Sequence, residues 1–367
     1  MVMHLQSLIM AHRDLGVAKA AKKDEFYTQL VDIENELRHY REHFRDKVVL
    51  CNCDDPYESN FFKYFALNFN SLALKKLIAT CYDGSPVVGS ELPLLFSVED
   101  EVSKKVAYKV EITEVADMNG DGCVDLTDVR ILLQNDKNVL TTLKQHGDFR
   151  SAECVALLKE ADIVCTNPPF SLFREYIAQL MEYGKKFLII GRMTVLHYKE
   201  VFPLLQQNKL WVGYGFNLSM VYKTPYANTE EANQKYVKSK GYDPNKNFIK
   251  VPAVLWLTNL DHKKRHEEVV LYKQYSPEEY PKYDNYDAIN VDSVMEIPYD
   301  FDGVMGVPDT LLGQFNPKQF TLVGLGSGNL AKKIGVTPNY RGRTDVALTI
   351  NGKHKCPYSR ILIKRKK

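Results

Sequence analysis

Asn167-Pro168-Pro169-Phe170 is the stretch of this chain best suited to chemistry. The two prolines fix φ and stiffen the turn. A rigid turn can aim the Asn167 side chain and the Pro168 carbonyl at one point. Two acceptors converging there match an exocyclic amine, which offers two N–H donors. Phe170 adds a flat surface for an aromatic base. The same residues also suit a plain strand-ending turn. Their position directly after the apolar run "DIVCT", Asp162 to Thr166, favours the functional reading, because open α/β sheets bind ligands at the carboxyl ends of their strands.

A second constellation is Asp117, Asn119, Asp121, Asp125 and Asp128, with Gly122 at the sixth place of the loop. Oxygen ligands at places 1, 3, 5, 9 and 12 have EF-hand-like spacing. The loop resembles the calcium loop of dockerin modules, with Asp in place of Glu at the last position, and a helix from Leu126 to Gln134 should follow. A structural calcium ion is one expectation. An acidic, glycine-containing turn is the other. Gly324 to Gly328 lacks the Lys-Ser/Thr of a phosphate loop and reads as a flexible loop. Cys51 and Cys53 read as strand residues, and Trp211 and Trp256 as core.

The elements that must position these residues alternate. "KVVLC" (Lys47 to Cys51), "KLIATC" (Lys76 to Cys81), "DIVCT" and Phe187 to Ile190 read as buried strands. Between them lie helical patterns: Asp32 to Phe44, with apolar residues at Ile33, Leu37, Tyr40 and Phe44; Ser59 to Leu72; a helix capped by Ser151 and reaching Glu160; and Phe173 to Tyr183, with Gly184 as its stop. This order predicts an α/β fold, a doubly wound, mostly parallel sheet. A catalytic domain is expected over 1–265, with insertions about 84–146 and 215–250. Residues 266–367, richer in Tyr, Pro and Gly, read as a separate α+β region.

With 367 residues, 45% apolar and 26% charged, the composition excludes a mainly disordered or fibrous chain. The apolar runs are too short to cross a bilayer, and no signal peptide is read. Seven cysteines without a C-x-x-C pair argue against a zinc ribbon or a disulfide framework, and lead us to expect a cytoplasmic protein. Net charge is only +2, yet Lys332 to Lys367 holds eleven Lys or Arg residues and one acid, Asp345. Such a basic end suits contact with nucleic acid or is simply a solvated tail.

Asn-Pro-Pro-Phe resembles the catalytic loop of amino-group methyltransferases that use S-adenosylmethionine. "KKDEFYTQ" (Lys22 to Gln29), "CNCDDP" (Cys51 to Pro56), "SNFFKYF" (Ser59 to Phe65), "GDFRS" (Gly147 to Ser151), "TNPPFSLFREY" (Thr166 to Tyr176) and "YPKYDNYDAIN" (Tyr280 to Asn290) resemble, in order, segments of the EcoRI-type adenine-specific DNA methyltransferases. The resemblance implies a Rossmann-like methyltransferase fold and N6 methylation of a flipped-out adenine in duplex DNA. It implies that Phe26, Tyr27 and Thr28 lie beside the methionine end of the cofactor. Asp54, Asp55 and Pro56 take the place of the usual Gly-rich turn. Asp83 would accept from the ribose hydroxyls, Asp148 and Phe149 would flank the cofactor adenine, and Asn167, Pro168, Pro169 and Phe170 would hold the target base. Residues 266–367 would read DNA together with the 215–250 insertion. No membrane and no obligate protein partner is implied. A methyltransferase acting on RNA or a protein glutamine, or an inactive DNA-binding relative, is the alternative.

Overall fold

The computed structural model describes residues 27–53, 59–81, 107–135, 140–223, 231–243 and 245–366. It divides into one unit made of Met1–Arg192 and Leu218–Val254 and another made of Met193–Asn217 and Leu255–Lys367. In the first, β1 (Tyr27–Thr28) and α1 (Leu30–Leu37) precede β2 (Val48–Asn52), α2 (Asn60–Leu67) and β3 (Lys76–Thr80). Next come β4 (Tyr108–Ile112), α3 (Leu126–Asn135), β5 (Leu140–Thr142), α4 (Ala152–Glu160), β6 (Ile163–Thr166), α5 (Phe173–Glu182) and β7 (Lys186–Arg192). The chain gives α6 (Phe202–Gln206) and β8 (Trp211–Val212) to the second unit, then returns for β9 (Leu218–Lys223) and α7 (Glu231–Ser239). It leaves along β10 (Phe248–Thr258), which passes from the first unit to the second after Val254.

The strand order is β1-β9-β10-β7-β6-β2-β3-β4-β5, with β8 also paired to β10. The central β7, β6, β2 and β3 are parallel. Every residue of β2 and β6 is buried, as expected for strands covered on both faces. In β4, buried Tyr108, Val110 and Ile112 alternate with half-buried Lys109 and Glu111, and its pairing with β3 and β5 is antiparallel. The expected α/β sheet with a parallel centre is therefore present. Both stretches read as insertions contribute strands to it: β4 and β5 from 84–146, β9 from 215–250.

β3 pairs with β2 on one side, whereas β6 joins β2 on the other. That reversal creates a switch point between the carboxyl ends of β2 and β6, where such sheets bind ligands. Local signals hold here. The Ser59 hydroxyl accepts from the Phe62 N–H at the start of α2, and the Ser151 hydroxyl from the Cys154 N–H at the start of α4. Gly184, at φ +60°, ends α5. Some expectations fail in detail. The helix read from Ser59 to Leu72 ends at Leu67 and gives way to turns, and Cys53, read as a strand residue, lies just past β2 at φ +67°. The helix read from Asp32 to Phe44 stops at Leu37 and resumes as a 3₁₀ turn, Arg41–Phe44. Tightened bonds from the His39 and Tyr40 N–H groups to the Glu36 and Leu37 carbonyls break it, while Tyr40 and Phe44 still reach the core.

The second unit holds β11 (Ile289–Asn290), β12 (Val304–Pro308), β13 (Phe320–Leu325), α8 (Gly328–Lys333), β14 (Leu348–Ile350), β15 (Lys353–Lys355) and β16 (Arg360–Arg365). A four-stranded sheet runs β11-β12-β16-β13, and β14 pairs with β15 as a two-stranded ribbon. The tail reading of the basic end is thereby corrected. β16 lies inside the sheet, and Ile361, Leu362 and Ile363 are fully buried. Gly324 belongs to β13, where a Cβ would meet Ile334 Cδ1 at 2.4 Å, so close packing accounts for it rather than loop flexibility. All seven cysteines are free. No helix among the described residues is long and apolar enough to cross a membrane.

Candidate active site

The Asn167–Phe170 loop leaves the carboxyl end of β6 and runs through a 3₁₀ turn, Phe170–Leu172, into α5. Pro168 is buried; Asn167, Pro169 and Phe170 are half-buried. Three buried polar side chains fasten the two ends of this loop. Thr166 donates its hydroxyl proton to the Asn52 carbonyl, tying the end of β6 to the end of β2. Tyr176, fully buried on α5, donates to Asn52 Oδ1. Asn52 thus closes the switch point through both its backbone and its side chain. Breaking one partner would leave a buried polar group without its bond, at a cost of about 1–3 kcal/mol.

The segment around Asp148 is joined to the same network. Gly147 has φ +71°, and a Cβ there would lie 2.1 Å from the Cys81 carbonyl oxygen. Only glycine lets this loop lie against the end of β3. Phe149 is 4% exposed and meets Tyr176 edge-on, with ring centroids 5.1 Å apart. Gln179 Nε2 of α5 donates to the Phe149 carbonyl at 3.1 Å. Asp148 accepts from Arg150 Nε at 2.9 Å and Nη2 at 2.7 Å, and from the Arg150 N–H at 2.8 Å. Those bonds to Arg150 hold the Asp148 carboxyl below its ordinary pKa, against a smaller opposing effect of burial. Arg150 also reaches Glu175 Oε2 at 2.7 Å.

Thr28, buried at the end of β1, accepts through its carbonyl from Asn60 Nδ2 at 2.7 Å. This bond joins the Tyr27–Thr28 strand to the first residue of α2. Asp32 follows in the first turn of α1, where burial pushes its carboxyl up to about 6 while Lys240 draws it down. At the end of β3, Thr80 is 1% exposed, and its hydroxyl has no hydrogen-bond partner among the described residues. Phe26, Asp54, Asp55, Pro56 and Asp83 lie outside the described residues.

The structure therefore joins Thr28 to α2 and packs Phe149 on Tyr176, while Asn167 and Pro168 directly follow Thr166, which is tied to Asn52. Sequence reading did not single out Asn52, Thr166, Tyr176 or Arg150. A polar residue ending the apolar run "VVLCN" is the signal that marks Asn52.

The five oxygen-bearing residues of the 117–128 loop do not form one cage. Asp128 is buried and accepts from the N–H groups of Met118 (2.7 Å), Asn119 (3.1 Å) and Asp125 (2.8 Å). Asp117 accepts from the N–H groups of Gly120, Asp121 and Gly122. Among the described residues, the one group of three acid, thiol or imidazole side chains with ligand atoms within 4.8 Å of one another is Asp121, Cys123 and Asp125, all exposed. Backbone capping accounts for Asp117 and Asp128, and the calcium expectation gains no support.

A family model described as "Adenine-specific methyltransferase EcoRI" matches residues 14–366. The chain is 46% identical over 362 residues to Type II methyltransferase M.EcoRI of Escherichia coli, with 96% of each chain covered. It is 36% identical over 353 residues to Type II methyltransferase M.MpnI of Mycoplasma pneumoniae, covering 95% of this chain and 97% of the other. It is 34% identical over 361 residues to Type II methyltransferase M.MgeORF184P of Mycoplasma genitalium, with the same coverage. No solved structure matches. With the family model spanning nearly the whole length, and an Asn-Pro-Pro-Phe loop at the switch point of an α/β sheet, the chain belongs to the EcoRI family of adenine-specific methyltransferases.

Proposed function

We propose that this protein methylates N6 of adenine in duplex DNA, with catalysis in the first unit and DNA recognition chiefly in the second. Membership of the family implies S-adenosylmethionine as the methyl donor. The observation that carries the reading is the Asn167–Phe170 loop, fastened by Thr166 and Tyr176 to Asn52 at the switch point. The residues present suit the cofactor. The buried Thr80 hydroxyl, without a hydrogen-bond partner among the described residues, lies at the end of β3, and Gly147 turns tightly against the Cys81 carbonyl. Phe26, Tyr27, Thr28, Asp54, Asp55, Pro56, Asp83, Asp148 and Phe149 would hold it. When bound, it supplies a methyl group on a sulfonium, so no covalent enzyme intermediate is needed.

The chain's own residues act on the amine. An exocyclic amino nitrogen is a poor nucleophile while its lone pair is conjugated with the ring. Asn167 Oδ1 and the Pro168 carbonyl accept its two N–H bonds and favour a pyramidal nitrogen with a free lone pair. That arrangement is stabilised more in the transition state than in the ground state. Pro168 and Pro169 hold the acceptors still. Phe170 stacks on the base, which must leave the duplex to reach the loop.

Asn167→Ala should lower methyl transfer by on the order of a hundredfold or more, as for loss of one positioned group, while S-adenosylmethionine and DNA still bind. The assay is tritium transfer from labelled cofactor to duplex DNA, followed by nucleoside analysis. Label on cytosine, RNA or protein glutamine, or an undiminished rate in the variant, would overturn the reading.

A further inference from the structure

Of the eleven cations between Lys332 and Lys367, the structure uses some internally. Arg360 is 8% exposed and bonds Asn290 Oδ1 and Asp292 Oδ1. Lys366 Nζ donates to the Pro317 carbonyl. Four others gather on the loop over 337–346 and on the β14–β15 ribbon: Arg341, Arg343, Lys353 and Lys355, all exposed. None of the four has a carboxylate within 4 Å among the described residues.

Specific contacts join loop and ribbon into one surface. The Tyr340 ring stacks on His354, with centroids 4.7 Å apart and planes 20° from parallel. The Arg341 guanidinium lies 5.1 Å from the Tyr340 centroid. Asn339 Nδ2 donates to Cys356 Sγ at 3.4 Å. Beneath, Val336, Val346 and Leu348 share a core cluster with Tyr283 and Leu362. Asn285 pins both ends of the loop through the Thr337 and Asp345 carbonyls and the Ala347 N–H.

The ribbon turns at Asn351 (φ +48°) and Gly352 (φ +72°), a pair in the left-handed region that makes a tight two-residue hairpin. Thr349 through Lys355 are exposed, and neither strand pairs with any other among the described residues. A two-stranded ribbon of this kind fits the major groove of duplex DNA. At its foot Tyr358 is 91% exposed, yet its backbone is fixed. Its carbonyl accepts from Arg360 Nη1 at 2.9 Å. The next residue, Ser359, is held at φ +43° with its hydroxyl on Asp309 and 3.1 Å from His197 Nε2.

We propose that the β14–β15 ribbon is the groove-reading element: its tip, from Thr349 to His354, meets base edges, the four cations meet flanking phosphates, and Tyr358 packs on the duplex at its foot. The inference rests on duplex DNA being the substrate. Charge complementarity and the uncovered ribbon select DNA over a protein partner.

The test uses the full-length chain with S-adenosylmethionine, once the wild-type motif has been read by single-molecule sequencing of methylated DNA. Lys353→Ala/Lys355→Ala should weaken duplex binding at least tenfold. It should also reduce the slope of log affinity against log salt by about 1.8, as for two lost phosphate contacts. Lys353→Glu/Lys355→Glu, equally exposed and so equally foldable, should weaken it further. Ile350→Ala/His354→Ala should instead lower the preference for the methylated motif tenfold or more, with cofactor affinity unchanged. If the wild type methylates DNA and these variants keep its affinity, salt slope and motif, the ribbon assignment alone is wrong. If the wild type neither binds nor methylates duplex DNA, the substrate reading falls and the ribbon assignment with it.

Discussion

Asp32 carries a carboxyl largely removed from water in the first turn of α1, and burial lifts its pKa to about 6 against the pull of Lys240. An unfolded aspartate titrates near 3.9, so the folded protein holds the proton more tightly between roughly pH 4 and 6. Stability from this group is therefore full below about pH 4 and is lost as pH rises through about 6. Asp32→Asn should raise unfolding free energy at pH 7.5 by about 1–2 kcal/mol, a figure reduced from the full shift because the site is partly solvated. At pH 4 the gain should vanish. Denaturant unfolding at the two pH values checks this, and an equal effect at both would show that ionisation is not the cause. Cys165 shows the same physics in a thiol: complete burial in β6 pushes its pKa up.

At the scale of elements, β16 changes what the basic end means. Lys364 pairs with Val304 on one side and Thr321 on the other, Arg365 pairs with Phe320, and the Lys366 N–H bonds the Gln319 carbonyl at 2.8 Å. Removing Lys364 to Lys367 should therefore destabilise the second unit by roughly 1 kcal/mol for each ladder bond lost. The point change Lys364→Ala should leave the melting temperature nearly unchanged, since its side chain is exposed. Melting curves of the two variants distinguish an internal strand from a tail. Similar curves for the truncation and the wild type would contradict the central place of β16.

For the whole molecule, a net charge of +2 conceals a division of labour. Lys332 and Lys333 at the end of α8 join the four exposed cations of the loop and ribbon, while Arg360 is used inside the fold. If most of these six meet phosphates, log affinity for duplex DNA should fall against log salt with a slope of roughly −3 to −5. Anisotropy titrations between 50 and 200 mM salt, a range over which such a slope changes affinity strongly, measure it. A slope near zero would show that these cations do not meet phosphates.

Much of the fold was legible because its signals are local. Apolar runs marked the parallel strands, Ser151 marked the start of α4, and two prolines after "DIVCT" marked the loop proposed to be catalytic. Family resemblance then supplied the chemistry that those residues alone left open. Three features needed the tertiary structure. Thr166 and Tyr176 converge on Asn52 across 114 and 124 residues of chain, a separation that no periodicity encodes. Asp117 and Asp128 have the spacing of metal ligands, but folding turns their oxygens onto backbone N–H groups. The basic end read as one charged stretch, yet pairing drew Ile361 to Ile363 into a sheet and left the ribbon cations outside. Residue type and spacing determined which groups could act; non-local packing and hydrogen bonding decided which of them are free to do so.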